Sequence, residues 1–235
     1  MKTTSSRKSG GGLGRIVLYG ALSTALLMAL YAGNLLLAAQ GLALNNESIW
    51  YAVRSSGIVA YLLLAASTAW GLVLTSKIAR RWISPALALE LHTYLAWTAI
   101  GMTVYHAYLL LFSDYFDFGV IDLLLPFVGP YEPLAVGMGI LGVYLMILTS
   151  ASFYAIQRIG YKTFRAVHYL TYAAFVLATA HSWLAGTDSE LLNPLYLAVS
   201  IGILWLTLLR VLAASRRARG IARDEGKNSQ PSYTF

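Results

Sequence analysis

The stretch RAVHYLTYAAFVLATAHSW, from Arg165 to Trp183, places two histidines inside an apolar run long enough to cross a membrane. A helix of about 20 apolar residues spans the hydrocarbon core of a bilayer. Ionisable side chains inside such a run are costly to bury and mark function by default. His168 and His181 therefore predict a bound group within the membrane.

Apolar runs of similar length recur along the whole chain. Its 235 residues are 58% hydrophobic and only 11% charged, a composition typical of a polytopic membrane protein and not of a soluble domain. We therefore predict an all-α membrane protein, a bundle of six transmembrane helices. The expected spans are Ile16–Ala39, Ser55–Leu74, Ala86–Phe112, Leu134–Phe153, Phe164–Leu184 and Leu191–Leu212.

Polar segments flank the predicted bundle. Residues 1–14 are rich in glycine, serine and basic residues, and residues 215–235 are rich in charge. Both are expected to be cytoplasmic tails, with residues 15–214 forming the bundle. The glycines of the first tail do not follow a strand, as the glycines of a nucleotide-binding loop do. We expect no flavin or NAD(P)H site in this chain.

The basic residues set the expected orientation. All but one of the 17 Lys and Arg residues fall in the two end segments or in the connections after the second and fourth spans, which share one side of a six-span bundle. By the positive-inside rule this side is the cytoplasm, so both termini are expected inside and the protein in the cytoplasmic membrane. The net charge of +7 then indicates attraction to anionic lipid and gives no reason to expect a nucleic-acid partner.

All four histidines of the chain lie on the third and fifth expected spans. His92 and His106 are 14 residues apart, and His168 and His181 are 13 residues apart. These separations correspond to about 21 Å and about 20 Å along a helix axis. Both spans run from the cytoplasm to the exterior, so His92 should face His168 at an inner level and His106 should face His181 at an outer level.

Two facing imidazoles, one from each helix, are the axial ligands of a b-type haem in a helical bundle. We therefore expect two haem b groups between the third and fifth spans, an inner one on His92 and His168 and an outer one on His106 and His181. Fourteen residues return to within about 40° of their starting direction, whereas thirteen leave an offset of about 140°. The fifth span must therefore twist or bulge, or the two haems must lie on different sides of it.

Other roles of buried histidines stay open. The chain has no cysteine, which excludes disulfides, thiolate-ligated iron–sulfur clusters and thiol redox centres. A zinc site lacks the further Cys, Asp or Glu that tetrahedral coordination needs. The alternatives are hydrogen bonding between packed helices and a small transporter or proton channel in which the histidines relay protons.

Several motifs resemble those of the ferric reductase-like transmembrane domain superfamily. Besides the two histidine spacings, they are RSSGIVAYLLL, ELHTYLAW, PFVGPYEPLAVGMGILGVYL, GYKTFRAVHYL and AHSWLAGTDS. The resemblance covers roughly residues 50–190. That superfamily includes ferric reductases, NADPH oxidases and the membrane haem subunits of bacterial methionine sulfoxide reductase systems. The resemblance implies two b haems held by the same four histidines.

Two arginines are candidates for binding the carboxylates of these haems. Arg54 matches the arginine at the start of the second span in the family, where it would neutralise a haem propionate or an anionic acceptor at the outer face. A snorkelling side chain at the membrane interface is the alternative. Arg165 lies one turn before His168 and is the best candidate of the inner basic residues to hold a propionate or to dock an acidic donor.

The expected function is transmembrane electron transfer. Electrons would come from a flavoprotein on the cytoplasmic side or from membrane quinol, and they would leave to ferric iron or to an extracytoplasmic redox protein. The chain would act as an oxidoreductase itself or as the non-catalytic haem subunit of a reductase complex. The outer connection Ser113–Pro133 is unusually apolar, which predicts a re-entrant or interfacial segment over the outer site or a headgroup anchor.

Overall fold

The computed structural model describes residues 46–74 and 83–228, together with the isolated positions 22, 29 and 33. The first expected span and the first tail lie outside these residues, apart from those three positions. Regular structure in the described part is entirely helical. The helices, numbered in chain order, are α1 (Asn46–Leu74), α2 (Pro85–Leu110), α3 (Val120–Leu124), α4 (Pro133–Tyr154), α5 (Ile156–His168), α6 (Leu170–Ala185) and α7 (Ser189–Asn228).

Three of the described helices are long and apolar enough to cross a bilayer. They are α1, α4 and the Glu190–Arg216 part of α7. Large apolar side chains on α7, such as Leu204 and Trp205, stay exposed, as expected where the surrounding solvent is lipid. The prediction of an all-α membrane protein is confirmed, while the count of six spans and the side of each terminus stay predictions.

Local sequence accounts for where the helices begin. The hydroxyl of Ser84 accepts a hydrogen bond from the backbone N–H of Leu87, and Pro85 at the first helical position needs no donor. Helix α1 begins at Asn46, upstream of the expected start at Ser55. The apolar run alone does not reveal this extension, because its first turn is polar and acidic, as suits a helix N-terminus.

The fifth expected span, Phe164–Leu184, is divided in the structure. Helix α5 ends at His168, and α6 begins at Leu170. The backbone N–H of Tyr172 bonds to the carbonyl of Tyr169 at 3.1 Å, so the chain tightens there into a 3₁₀-like turn. The irregularity therefore lies between His168 and His181, which is one of the two alternatives that their 13-residue spacing leaves.

Helix α7 continues past Leu212, where the sixth span was expected to end, to Asn228. The segment AASRRARGIAR that follows Leu212 is rich in alanine and arginine, which are strong helix formers. Much of the segment expected as a second tail is therefore helical, although its charge prevents it from continuing the membrane span.

Five helices contribute to one buried cluster among the described residues. Tyr61 of α1 packs edge-on against Tyr196 of α7, with ring centroids 5.2 Å apart, and stacks on Phe175 of α6 at 6.1 Å. Ala99 of α2 and Met146 of α4 complete the contacts. Ala99 lies midway between His92 and His106 along α2, so the middle of this cluster falls between the two expected histidine levels.

The outer connection folds back over the ends of α4 and α6. The phenol of Tyr131 donates a hydrogen bond to the carbonyl of Ala185 at 3.1 Å, and its ring lies 4.1 Å from that of Phe116. Burial, and then the nearby charge of Glu132, raises the pKa of Tyr131, so the phenol keeps the proton that it donates. The surface of this segment is apolar, through exposed Val120, Ile121, Leu124, Leu125, Phe127 and Val128.

Candidate functional site

The structure brings the four histidines together as two facing pairs. The ring centroids of His92 and His168 are 6.1 Å apart, with the ring planes at 78°. Those of His106 and His181 are 6.3 Å apart, with the planes at 74°. Helix α2 supplies one ring of each pair, and α5 and α6 supply the others, in the combination that the direction of the spans predicts.

These separations suit two imidazoles on opposite sides of one metal ion. A metal–nitrogen distance of about 2.0 Å on each side, plus about 1.2 Å from each nitrogen to its ring centroid, puts the centroids about 6.4 Å apart. No three His, Cys, Asp or Glu side chains among the described residues form a group that could hold a bare metal ion. The pairs therefore suit a metal that brings its other donors with it, as haem iron does.

Three of the four histidines donate a hydrogen bond from Nδ1 to a backbone carbonyl. His106 donates to Val53 at 2.8 Å, and His92 donates to Ser67 at 3.1 Å. A carbonyl only accepts, so Nδ1 carries the proton and the lone pair of Nε2 is free for a metal. The third bond runs from His181 to the carbonyl of Ala135 at 2.9 Å.

A glycine lies four residues after each of these carbonyls. In a helix the side chain at that position stands beside the carbonyl, so its absence opens the backbone to an approaching ring. A Cβ would stand 3.0 Å from His106 at Gly57, 3.0 Å from His92 at Gly71 and 2.8 Å from His181 at Gly139. We call each carbonyl with its glycine a glycine cradle; the three are Val53 with Gly57, Ser67 with Gly71, and Ala135 with Gly139.

The two cradles on α1 are 14 residues apart, the same separation as that of the two histidines on α2. Because α1 and α2 run antiparallel, the outer cradle meets His106 and the inner cradle meets His92. No role for these glycines follows from the sequence alone. The available signal was a pair of glycines, at 57 and 71, within one apolar helical run where glycine weakens the helix.

His168 is the exception. Its Nδ1 is buried and has no hydrogen-bond partner among the described residues. Fourteen residues after Ala135, where a fourth cradle would fall, the carbonyl of Thr149 accepts from the hydroxyl of Ser152 at 2.7 Å, and the residue four further on is Phe153. The ring is supported instead by stacking on Phe164, with centroids 5.3 Å apart.

A cavity surrounds the inner pair. Both inner histidines line it, together with Arg165 and Arg210 and several aromatic side chains. Arg165 donates a hydrogen bond to the hydroxyl of Tyr169 at 3.0 Å and lies over the ring of Tyr161, so it reaches the inner level as expected. Arg210 was not singled out from the sequence, although it is the only basic residue within the sixth expected span. Two cations therefore line the cavity of the inner pair.

Arg54 lies at the outer end of α1, one residue after the carbonyl that holds His106. Its guanidinium forms two parallel hydrogen bonds with the carboxylate of Asp188, in the turn before α7. A fork of this kind is the strongest form of arginine–carboxylate pairing. The anion beside Arg54 in the structure is thus a side chain of the chain itself, which ties α1 to α7 beside the outer pair.

Comparison with known families gives a match. Residues 56–179 match a family described as "Ferric reductase like transmembrane component". The matched stretch covers more than half of the chain and includes His92, His106 and His168 with all three cradle glycines. No curated protein and no solved structure matches the chain.

Proposed function

Since the chain belongs to the family of ferric reductase-like transmembrane components, we propose that it carries electrons across the cytoplasmic membrane on two b haems held by its histidine pairs. The family is one of transmembrane electron transfer in general. The observation that carries the proposal is the two facing pairs, with ring centroids 6.1 and 6.3 Å apart at two levels of the bundle.

Each proposed ligand has a defined task. His92 and His168 would hold the inner haem, and His106 and His181 the outer one. A haem bound in this way supplies a one-electron iron carrier. The three carbonyl hydrogen bonds fix the tautomer and orientation of the imidazoles and make Nε2 more basic. The buried aromatic cluster around Tyr61 keeps water out of the space between the two levels.

Charged side chains would serve the two faces. Arg165 and Arg210, both on the cavity of the inner pair, would offset the haem carboxylates on that side. An acidic flavoprotein donor would suit the basic residues of α5, which are Arg158 before its kink at Gly160 and Lys162 and Arg165 after it, whereas quinol would arrive through the bilayer. At the outer face the acceptor would be ferric iron or an extracytoplasmic redox protein, with the chain acting alone or as the haem subunit of a complex.

A proton relay has less support from the geometry. A relay histidine must take a proton on one ring nitrogen and release one from the other. In three of the four rings Nδ1 donates to a backbone carbonyl, which has no proton to pass on. The same bonds favour metal ligation, because they leave Nε2 as the free donor atom.

The test is a dithionite-reduced minus oxidised visible spectrum with pyridine-haemochrome quantitation, on protein purified from haem-replete cells. We expect two b haems per chain in the wild type and about one in His106→Ala. Thr98→Ala is the matched control, because Thr98 is half-buried on the same helix and its hydroxyl bonds to the backbone carbonyl of Tyr94 one turn before it. A colourless wild-type protein would return the histidines to proton transport or helix packing.

A further inference from the structure

We propose that His168 is an exchangeable ligand, so that the reduced inner site takes up a small neutral ligand of haem iron, with carbon monoxide as the probe, while the outer site does not. This inference rests on the proposed function, since it concerns how firmly the chain holds its two haems. It adds a ligand-binding site at the inner level to a chain whose main task is electron transfer.

The first support is the missing hydrogen bond. A hydrogen-bond partner on the other ring nitrogen of a ligating histidine orients the ring and makes the ligating nitrogen more basic, and loss of that partner typically weakens metal affinity 10- to 100-fold. His92, His106 and His181 each have such a partner in a glycine cradle. Among the described residues His168 has none, although its Nδ1 is buried. The outer pair is therefore anchored on both sides, and the inner pair on one side only.

The second support is the backbone that carries His168. It is the last residue of α5, and no residue of α5 is buried. The chain leaves the α-helical conformation before it, at Gly160, where φ is 79°, and tightens after it into the 3₁₀-like turn from Tyr169 to Tyr172. Segments with few buried contacts and interrupted hydrogen bonding open at the lowest free-energy cost. His181, by contrast, lies within α6 and is held by Ala135 of α4.

The third support is the surroundings of the His168 ring. It lines the cavity that the inner haem would occupy, together with aromatic groups such as Trp97 and Tyr172 and with the cations of Arg165 and Arg210. Among the described residues none of these side chains accepts a hydrogen bond from its Nδ1. The Phe164 ring stacks on the His168 imidazole. This contact orients the imidazole, but it supplies no hydrogen-bond acceptor to Nδ1.

The exchange balances without an oxidant or a reductant. When a haem is bound, the His168 imidazole would leave the iron with its own lone pair, and carbon monoxide would supply the pair that replaces it. One coordinate bond would break and one would form, with no change in oxidation state. His92, whose ring is held by its cradle, would keep its bond to the haem.

The test uses the full chain in lipid nanodiscs, reduced with dithionite and titrated with carbon monoxide under a visible spectrum. We expect the wild type to take up one carbon monoxide for every two haems. His92→Ala, which removes the inner haem, should abolish the uptake, whereas His106→Ala, which removes the outer haem, should keep it. Gly101→Ala, with nothing within 4 Å of the added methyl, should behave like the wild type.

Each other result has one meaning. The exchangeable His168 would be overturned by any of three results. The wild type could hold two haems and take up no carbon monoxide, or it could take up carbon monoxide at both haems. The uptake could also survive in His92→Ala and disappear in His106→Ala. These results would leave two-haem electron transfer standing. Absence of haem from the wild type would instead overturn the proposed function itself, and haem quantitation on the same samples separates the two failures.

Discussion

Gly139 lies directly against His181, so that a Cβ added to the glycine would stand 2.8 Å from Nδ1 of the imidazole. That distance is shorter than real carbon contacts, and the ring is held there by the carbonyl of Ala135. The position of a proposed outer ligand thus depends on the absence of one methyl group on a neighbouring helix.

Gly139→Ala is expected to weaken retention of the outer haem. The methyl would push the imidazole away from the carbonyl of Ala135, and overpacking of this kind costs about 1–3 kcal/mol, or about a 5- to 150-fold loss in affinity. Pyridine-haemochrome quantitation during dilution measures the loss. Gly101→Ala is the control, because its methyl meets nothing within 4 Å; equal retention by both variants would contradict the role of the cradle.

Arg54 and Asp188 are expected to stabilise the fold as a pair. Their side chains are about 30% and 25% exposed, so solvent screens the pair only in part. Arg54→Met or Asp188→Asn alone should each lower the thermal midpoint, because each leaves a partly buried charged partner unmatched. In a double-mutant cycle we expect a coupling of about 1–3 kcal/mol. Fully additive single effects would show that the two groups do not interact in solution.

Arg165→Gln is expected to lower the midpoint potential of one haem and leave the other unchanged. The cation lies on the cavity of the inner pair, where it favours the reduced, less positive iron. Because the side chain is exposed and solvent screens its charge, its loss should lower that potential by less than about 60 mV, the value of a tenfold change for one electron. Spectroelectrochemical titration measures both potentials. Lys162→Gln is the control, because Lys162 shares α5 and does not line the cavity. Equal shifts in both variants would argue for a general surface-charge effect.

Tyr131→Phe is expected to lower stability by about 1 kcal/mol through loss of the hydrogen bond to Ala185. Burial raises the pKa of Tyr131 above 10.0 in the folded state. The unfolded chain therefore loses this proton first, and the tyrosine's contribution to stability declines as the pH rises from about 10 through the folded pKa. Thermal unfolding of both proteins from pH 8 to 11 measures it. The difference in stability between the wild type and Tyr131→Phe should become smaller at high pH. A difference that stays constant would contradict the hydrogen bond donated by the Tyr131 phenol.

The pairing of the histidines could be predicted because it depends only on counting along two helices. His92 and His106 repeat at nearly the spacing of His168 and His181, and helix geometry converts those counts into two levels. The break at Tyr169 was predictable only as one of two alternatives, because a sequence spacing fixes an angular offset and does not say how the backbone absorbs it.

Other parts of the site depend on contacts between distant residues, which no local pattern reveals. Asp188 reaches Arg54 across 134 positions of the chain. The cradle glycines are recognisable only once a histidine from another helix is placed beside them. The missing hydrogen bond of His168 is recognisable only once the carbonyl bonds of the other three histidines are known. The helical extensions to Asn46 and to Asn228 could not be predicted from apolar runs, because such runs end where polar residues begin.

Because the cradles on α1 and the histidines on α2 have the same separation, both helices set the distance between the two histidine levels. The two spacings must therefore agree. A single residue inserted between Gly57 and Gly71 would rotate one cradle by about 100° relative to the other. One histidine would then face a side chain instead of an open carbonyl, while the other site stayed intact. The bundle can therefore be lengthened or shortened only by paired changes in both helices. The distance between its two sites is fixed jointly by α1 and α2, so neither site can shift along the bundle by itself.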